Sequence, residues 1–372
     1  MTIQATADVV VIGAGVIGCS TAYHLARMGI TDVAVVEMDQ VGSGSSSKSA
    51  SMLSLQFCHD ELTVHMAKYS YARYMQFGEE LGVPIDFKRT GWLSLATQES
   101  SEQLLANAKL LQSLDIRTEI LYPNEIKRRY PEINTEDLVV GAWGPDDGPF
   151  DPHMIMWGYM KRALERGVKL YQGARATGIQ VRNGQVEGVD TDQGFVATRL
   201  VVNAGGPWAI EIGRWVGVEI PIANSARSIL ITGPFSDIPS TRPFVKDMTA
   251  DWYYRPEGVG FLMGRGKLPT ENLDIQINFE MINEILDAAV HRVTVLERAS
   301  MLTAWTGVRP LTSDDYPILG PAPSVDGFVL NCGWGGMGVI QAPIAGQFVA
   351  EYISDGRTST MDIGAFGIER FG

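Results

Sequence analysis

Apolar residues in this chain cluster in two ways. Short uninterrupted runs read as strands buried on both faces, and longer runs with helical spacing read as helices. Val9–Ile12, the core of Asp8–Gly13, is β-branched throughout and ends on glycine. Asp32–Glu37, Arg199–Gly206 and Phe328–Cys332 have the same character. Between the first two runs, Cys19 to Met28 places Ala22, Leu25 and Ala26 at helical spacing, and Gly29 stops it. The chain therefore opens as strand, glycine turn, helix, strand.

Further along, the pattern predicts helices over Thr63–Leu81, Glu102–Leu114 and Asn124–Tyr130. Another starts at Asp151-Pro152, with Asp as N-cap and Pro in the first turn, and runs to about Gly167. Glu280–Arg298 is the longest candidate, and a last helix is expected from about Pro343 to Ser354. Alternation makes Gly91–Thr97 a strand; Asn183-Gly184 signals a tight hairpin; Ser228–Thr232 and Trp252–Met263 read as sheet. The buried runs lie at the start, middle and end, with sheet-rich segments between them. Two interleaved domains follow: residues 1–85, 145–222 and 300–372 form one, and 86–144 and 223–299 the other.

The first chemistry sits in the opening unit. Gly13-x-Gly15-x-x-Gly18 follows a buried strand and starts a helix, and Glu37 ends the next strand 19 residues after Gly18. Gly13 permits a tight turn, Gly15 lets backbone approach a pyrophosphate, and Gly18 lets helix pack on strand. The helix N-terminus favours phosphate, and Glu37 is placed to accept from a ribose. This is a dinucleotide site. The serine-rich stretch Gly42–Ser51 runs straight into apolar Met52, Leu53, Leu55 and Phe57, unlike a linker.

Two further constellations carry candidate chemistry. Arg309, in Trp305-Thr-Gly-Val-Arg-Pro, has apolar neighbours that make an unpaired guanidinium costly. It either clamps a carboxylate bidentately or forms a structural pair with Asp314 or Asp315. Tyr253 and Tyr254 lie on one strand, so alternation sends them to opposite faces and at most one faces a pocket.

Composition narrows the partners. With 43 acidic against 30 basic residues, the net charge is −13, which disfavours nucleic acid and anionic membranes. No apolar run is long enough for a membrane span. Met1 to Ala7 lacks the basic start of a secretory signal. The three scattered cysteines, Cys19, Cys58 and Cys332, fit no metal-ligand spacing and suit a reducing cytoplasm.

Taken together, the ordered motifs resemble the FAD-dependent amino-acid and amine oxidoreductases of the D-amino-acid oxidase type, which include glycine oxidase, sarcosine oxidase, dimethylglycine dehydrogenase and L-proline dehydrogenase. They are the glycine motif with Glu37; Ser45 to Leu53; Thr90-Gly-Trp-Leu; Asp147-Gly-x-x-Asp-Pro152; Val201-Val-Asn-Ala-Gly-x-x-Trp208; Tyr254-Arg-Pro; Trp305-x-Gly-x-Arg-Pro310; and Gly333-Trp-Gly-Gly-Met-Gly-Val-Ile-Gln-Ala-Pro343. The resemblance implies an α/β fold with an α+β second domain: a Rossmann-like FAD-binding domain interleaved with an antiparallel-sheet substrate domain.

The resemblance assigns Gly13, Gly15, Gly18 and Glu37 to adenosine and pyrophosphate. It assigns Ser45, Ser46, Ser51 and Met52 to the loop over pyrophosphate, ribityl chain and flavin ring, and Ala204 and Gly205 to a second cofactor contact. Gly336, Met337, Gly338, Val339 and Ile340 would lie against the isoalloxazine. Arg309 would hold the substrate carboxylate, and Tyr254 would belong to the pocket. Covalent sarcosine oxidases carry a flavin-linking Cys where Gly307 stands, so noncovalent FAD is expected. The flavin-linking His of sarcosine oxidase β subunits aligns with Pro152, and His153 follows it.

The implied reaction is oxidation of a C–N bond in a small amino acid, preferably a secondary or tertiary amine such as sarcosine, dimethylglycine or proline. The alternatives are glycine or a D-amino acid as substrate, or a role as the FAD-carrying β subunit of a multi-subunit dehydrogenase. Oxygen or a partner subunit would take the electrons. A cytoplasmic location and a homo- or hetero-oligomer are expected.

Overall fold

A computed structural model describes residues 2–372; Met1, the first residue of the expected cofactor domain, lies outside them. The buried apolar runs assemble into one six-stranded sheet. Its order is Ile318–Pro321, Phe328–Cys332, Val201–Asn203, Val9–Ile12, Val33–Glu37, Lys169–Gln172. All neighbours are parallel except the first pair. Helices cover the sheet, which is why its central strands need apolar residues on both faces rather than alternation.

The first helix, Val16–Arg27, and the last, Gly338–Asp355, pack closely over this sheet. A Cβ on Gly346 would lie 2.5 Å from the Ser20 carbonyl carbon, so only glycine allows this approach. Pro152–Glu165 packs on the same first helix.

The second large sheet has eight strands, ordered Met301–Leu311, Ala223–Thr232, Gly260–Pro269, Trp252–Glu257, Phe244–Asp247, Trp92–Ala96, Val140–Gly144, Glu119–Leu121. It is antiparallel apart from the pairing of Phe244–Asp247 with Trp92–Ala96. Met301–Leu311 thus belongs to this sheet, although its sequence position groups it with the expected cofactor segments. One face carries the core of Leu93, Leu230, Trp252, Tyr254, Phe261 and Met263, closed by the helix Phe279–Arg292. The other face looks toward the six-stranded sheet.

The hairpin at Asn183-Gly184 forms as expected, with φ of 52° and 77°, both positive as a primed turn demands. Other segments differ. Ile3–Thr6, for which the sequence pattern predicts no element, is a strand paired in parallel with Gly194–Ala197 in a separate four-stranded sheet. Thr63–Leu81 divides into Glu61–Met75 and Phe77–Leu81, and the break lets Phe77 seat its ring against Gly158. The long helix ends at Arg292, before β-branched Val293-Thr294-Val295. Arg292 is anchored there by buried Asp247 and by Asp137.

The last helix starts at Gly338, five residues before the position expected from Pro343. A proline inside a helix removes one N–H and leaves the carbonyl four residues earlier unpaired. Here that carbonyl belongs to Val339, and the Tyr74 hydroxyl donates to it. Tyr74→Phe should therefore remove the partner of a partly buried carbonyl and lower stability by about 1 kcal/mol. Chemical denaturation of the variant measures this, and an unchanged unfolding midpoint would show that the helix start does not depend on Tyr74.

Candidate active site

A long cleft lies between the two sheets, enclosing about 1430 Å³ including its open mouth. One end is built from the glycine turn. Gly13 has φ of 102°, and a Cβ on it would lie 2.6 Å from the Ala204 carbonyl. A Cβ on Gly18 would lie 1.9 Å from the Gly13 carbonyl. Gly15 has only Ser46 Oγ, at 3.4 Å, near its would-be Cβ, so a side chain there would project into the cleft.

Glu37 is buried at this end. Its carboxylate accepts from the Ala14 N–H at 2.7 Å and from the Asp39 N–H at 2.9 Å. These bonds brace the turn and leave acceptor capacity, because an ionised carboxylate offers about four lone-pair sites. The N-cap residue of the first helix, Gly15, has no side chain, and the first turn carries no acidic residue. Its N-terminus, with Val16 and Ile17 lining the cleft, is a partial positive charge open to an anion.

The serine loop holds the middle of the cleft. Ser46 Oγ accepts from the Val16 N–H at 3.0 Å, and the Ser45 hydroxyl donates to the Val308 carbonyl at 2.5 Å. The loop thereby ties the helix N-terminus to the strand bearing Arg309. Ser43, Gly44, Ser45, Ser46, Lys48 and Ser49 line the cleft.

Not every expected cofactor residue does. Gly13, Gly15, Glu37, Ser45, Ser46, Ala204, Gly205, Gly336, Gly338 and Val339 line it. Gly18 is buried behind the turn as a packing residue. Ser51, with φ of 53°, turns the chain away and bonds Ser49. Met52 pairs with Pro149 and packs beside Tyr253. Met337 and Ile340 face the core between the helices, because residues three apart share one face of a helix.

The far end of the cleft is charged. Arg309 lines it, and a Cβ on Gly336 would lie 3.2 Å from its Nη1. Neither nearby aspartate pairs with Arg309: Asp314 binds Arg370 at 2.7 Å, and Asp315 sits in a turn with φ of 60°. Arg309 has no ion-pair partner among the described residues. Burial, reinforced by the neighbouring Arg227 charge, pushes its guanidinium down to about 10, still cationic at neutral pH.

Tyr254 is not in the pocket. Its ring is fully buried in the core on the opposite face, stacked with Trp252. Tyr253 lines the cleft instead. The reason is register. Lys246, Tyr253, Gly264, Ile229 and Trp305 pair in sequence across the sheet, so their side chains share the cleft face. Gly264 gives the Tyr253 ring room, since a Cβ there would lie 2.2 Å from the tyrosine oxygen. The Tyr253 hydroxyl is buried without a hydrogen-bond partner. Alternation showed that one tyrosine would face away; only the sheet's orientation selects which.

Arg227 escaped sequence reasoning altogether. It lies on Ala223–Thr232 opposite Gly307 and lines the cleft beside Arg309. The available signal was the one charged residue of that strand, two positions before Ile229. Trp208 and Trp215 were also missed as lining residues.

The cleft thus combines glycine-lined backbone, an open helix N-terminus and a ribose-compatible carboxylate at one end with a cationic wall at the other. It suits an extended dinucleotide such as FAD with an anionic substrate at its tip. Comparison with known proteins agrees. The chain is 30% identical to mitochondrial sarcosine dehydrogenase of Mus musculus over 391 aligned residues, which cover 99% of this chain but 42% of that protein. The chain therefore spans under half the length of such curated relatives. Among solved structures, it matches L-proline dehydrogenase from P. horikoshii with a TM-score of 0.90 and 28% identity, over 99% and 98% of the two chains. Glycine oxidase from Geobacillus kaustophilus gives a TM-score of 0.89 and 25% identity, over 98% and 99%. A family model described as DAO, FAD dependent oxidoreductase, matches residues 8–352, and with the glycine turn, Glu37 and the interleaved sheets in place, this chain belongs to that family of FAD-dependent oxidoreductases.

Proposed function

We propose that this protein oxidises the C–N bond of a small amino acid, with a secondary or tertiary amine preferred over a primary one. The carrying observation is Arg309: a cationic fork facing the cleft beside Gly336, with no carboxylate of its own. A substrate carboxylate bound there bidentately is fixed in both position and plane. Bound FAD would supply the acceptor for the hydride leaving the substrate carbon. The amine must arrive deprotonated so that its lone pair can form the C=N bond as the hydride leaves. The resulting imine then takes up water to give an amine and a carbonyl compound.

This chain's own contribution is orientation, which can account for much of the rate without a strong base. Tyr253, Phe244 and Trp92 form a stacked aromatic run beside the cation, with centroids 5.3 Å and 4.0 Å apart. Of the three, Tyr253 lines the cleft, and the two rings behind it hold it as an apolar surface for N-methyl or ring carbons. The likeness to sarcosine and L-proline dehydrogenases supports the secondary-amine reading; the likeness to glycine oxidase supports glycine as the alternative. Gly307, on the cleft wall, offers no group for a covalent link to flavin, which supports noncovalent attachment. Pro152 stands at the other candidate attachment position, and His153, which follows it, is exposed on a helix outside the cleft. Oxygen or a partner subunit is proposed as the final acceptor, with homo- or hetero-oligomeric assembly. No described helix is long and apolar enough to cross a membrane; a cytoplasmic location is proposed from the sparse cysteines.

The test is an anaerobic visible spectrum of the flavin-loaded protein with sarcosine, dimethylglycine, L-proline, glycine or D-alanine in separate cuvettes. Bleaching by the first three ahead of the last two is the expected result. Faster bleaching by glycine or D-alanine would replace the preferred reading with the alternative. Bleaching by none would overturn the assignment of these monocarboxylic amino acids as substrates.

A further inference from the structure

Arg309 does not exhaust the positive charge at the tip of the cleft. Ser225 pairs with Arg309 and Arg227 with Gly307, so the two arginines are diagonal neighbours on one face of adjacent strands. Such neighbours are roughly 7–8 Å apart at their backbones. Both line the same cleft. Arg227 is nine-tenths buried, and its Nε has no hydrogen-bond partner. Its one ionic contact is with Asp251, at a loose 3.4 Å. Asp251 is already engaged by the Lys246 ammonium. Asp251 thus faces two cations, Lys246 on one oxygen and Arg227 on the other, and can balance only one of them, so the three groups together keep one net positive charge. The Tyr253 hydroxyl, also buried and unpartnered, stands on the same face. Exposed Lys48, at the rim, adds a further cation.

A single substrate carboxylate would balance Arg309 and leave the net positive charge shared by Arg227, Lys246 and Asp251 buried and unbalanced, an expensive state. Two guanidiniums side by side on a low-dielectric wall also repel one another, which an anion between or upon them relieves.

We propose that the substrate is a dicarboxylic amine: one carboxylate binds Arg309 and a second binds Arg227, with the oxidised C–N bond between them. This rests on the reading of Arg309 as the carboxylate clamp and adds the substrate's class to it. N-substituted acidic amino acids fit this description; sarcosine and proline satisfy only half of it.

The test titrates the flavin-loaded protein with unreactive acids of matched length, following the flavin absorbance: succinate against butyrate, and glutarate against pentanoate. In the wild type, the better dicarboxylate should bind about tenfold tighter or more than its partner, the worth of one added charge-assisted pair. In Arg227→Gln that ratio should collapse toward one, whereas Arg309→Gln should weaken all four acids. A wild-type ratio under about threefold overturns the proposal. So does an Arg227→Gln variant that keeps the ratio, or that weakens both members of each pair equally, which would mean that Arg227 helps hold the first carboxylate. Should Arg227→Gln fail to retain flavin, Arg227→Lys and the wild-type ratio decide. Anaerobic bleaching by N-methylaspartate and N-methylglutamate, compared with sarcosine, is read separately. If no amine bleaches the flavin, the oxidoreductase assignment for amines fails, while the acid titration still reports on Arg227.

Discussion

Arg309→Ala should lower kcat/KM for the preferred amino acid severely while leaving the flavin in place. Removing one partner of a buried, hydrogen-bonded charge pair typically costs about 2–5 kcal/mol. At about 1.4 kcal/mol per decade, that is roughly a 30- to 4,000-fold loss. The direction follows from placement. Arg309 faces the cleft from the eight-stranded sheet and has no internal carboxylate among the described residues, since Asp314 is taken by Arg370. Its charge is therefore available to a substrate. Arg309→Lys should recover only part of the loss, because an ammonium keeps the charge but not the planar fork. An amine of the same size without a carboxylate provides the control: it should be a poor substrate for the wild type and equally poor for Arg309→Ala. Steady-state kinetics with both substrates, alongside the flavin-to-protein absorbance ratio, separates the outcomes. A variant that loses activity equally toward both substrates would show that Arg309 shapes the site rather than holding the carboxylate.

The second large effect is expected at the glycine turn, where two substitutions should fail for different reasons. A side chain on Gly18 would strike the Gly13 carbonyl, because a Cβ there lies only 1.9 Å away. Gly18→Val must push the first helix off its strand, and overpacking of this kind costs about 1–3 kcal/mol or more. It should purify colourless, with a lowered melting temperature. Gly15→Val meets only the Ser46 hydroxyl and fills cleft instead. It should keep the wild-type melting temperature of the flavin-free protein but bind flavin weakly, because backbone can no longer approach the pyrophosphate. Gly78→Ala is the control, with nothing within 4 Å of its would-be Cβ. Flavin content and thermal melting of the three proteins, with and without added FAD, provide the readings. A Gly15→Val protein that binds FAD as tightly as the wild type would overturn the placement of the cofactor along this turn.

Both predictions rest on residues visible in the sequence, but for unequal reasons. Gly13, Gly15, Gly18 and Glu37 were legible because their chemistry is local. One strand, one turn and one helix bring them together, so spacing along the chain is spacing in the fold. Arg309 was legible only as a choice between a substrate clamp and a pair with Asp314 or Asp315. The choice fell when Arg370, near the end of the chain, was seen to hold Asp314. Tyr253 and Arg227 depended on still more remote information. Which face of a strand looks into a cleft is settled by the strands beside it and by what closes the opposite side. For Tyr254 that was the core under the helix Phe279–Arg292.

The last helix shows the same division in its backbone. Pro343 marked a helix start by the local rule, and that rule is sound for an isolated segment. The Tyr74 hydroxyl, from a helix far away in sequence, supplies the bond that the proline removes and lets the helix begin at Gly338, against the cleft. The sequence by itself determined the buried strands, the dinucleotide turn, the hairpin at Asn183-Gly184 and the family resemblance, because each depends on neighbours a few residues apart. The tertiary structure alone decided which tyrosine faces the cleft, that neither Asp314 nor Asp315 pairs with Arg309, and that Arg227 stands beside it sharing one aspartate with Lys246, because these are questions of register and pairing between strands that meet only after the chain has folded.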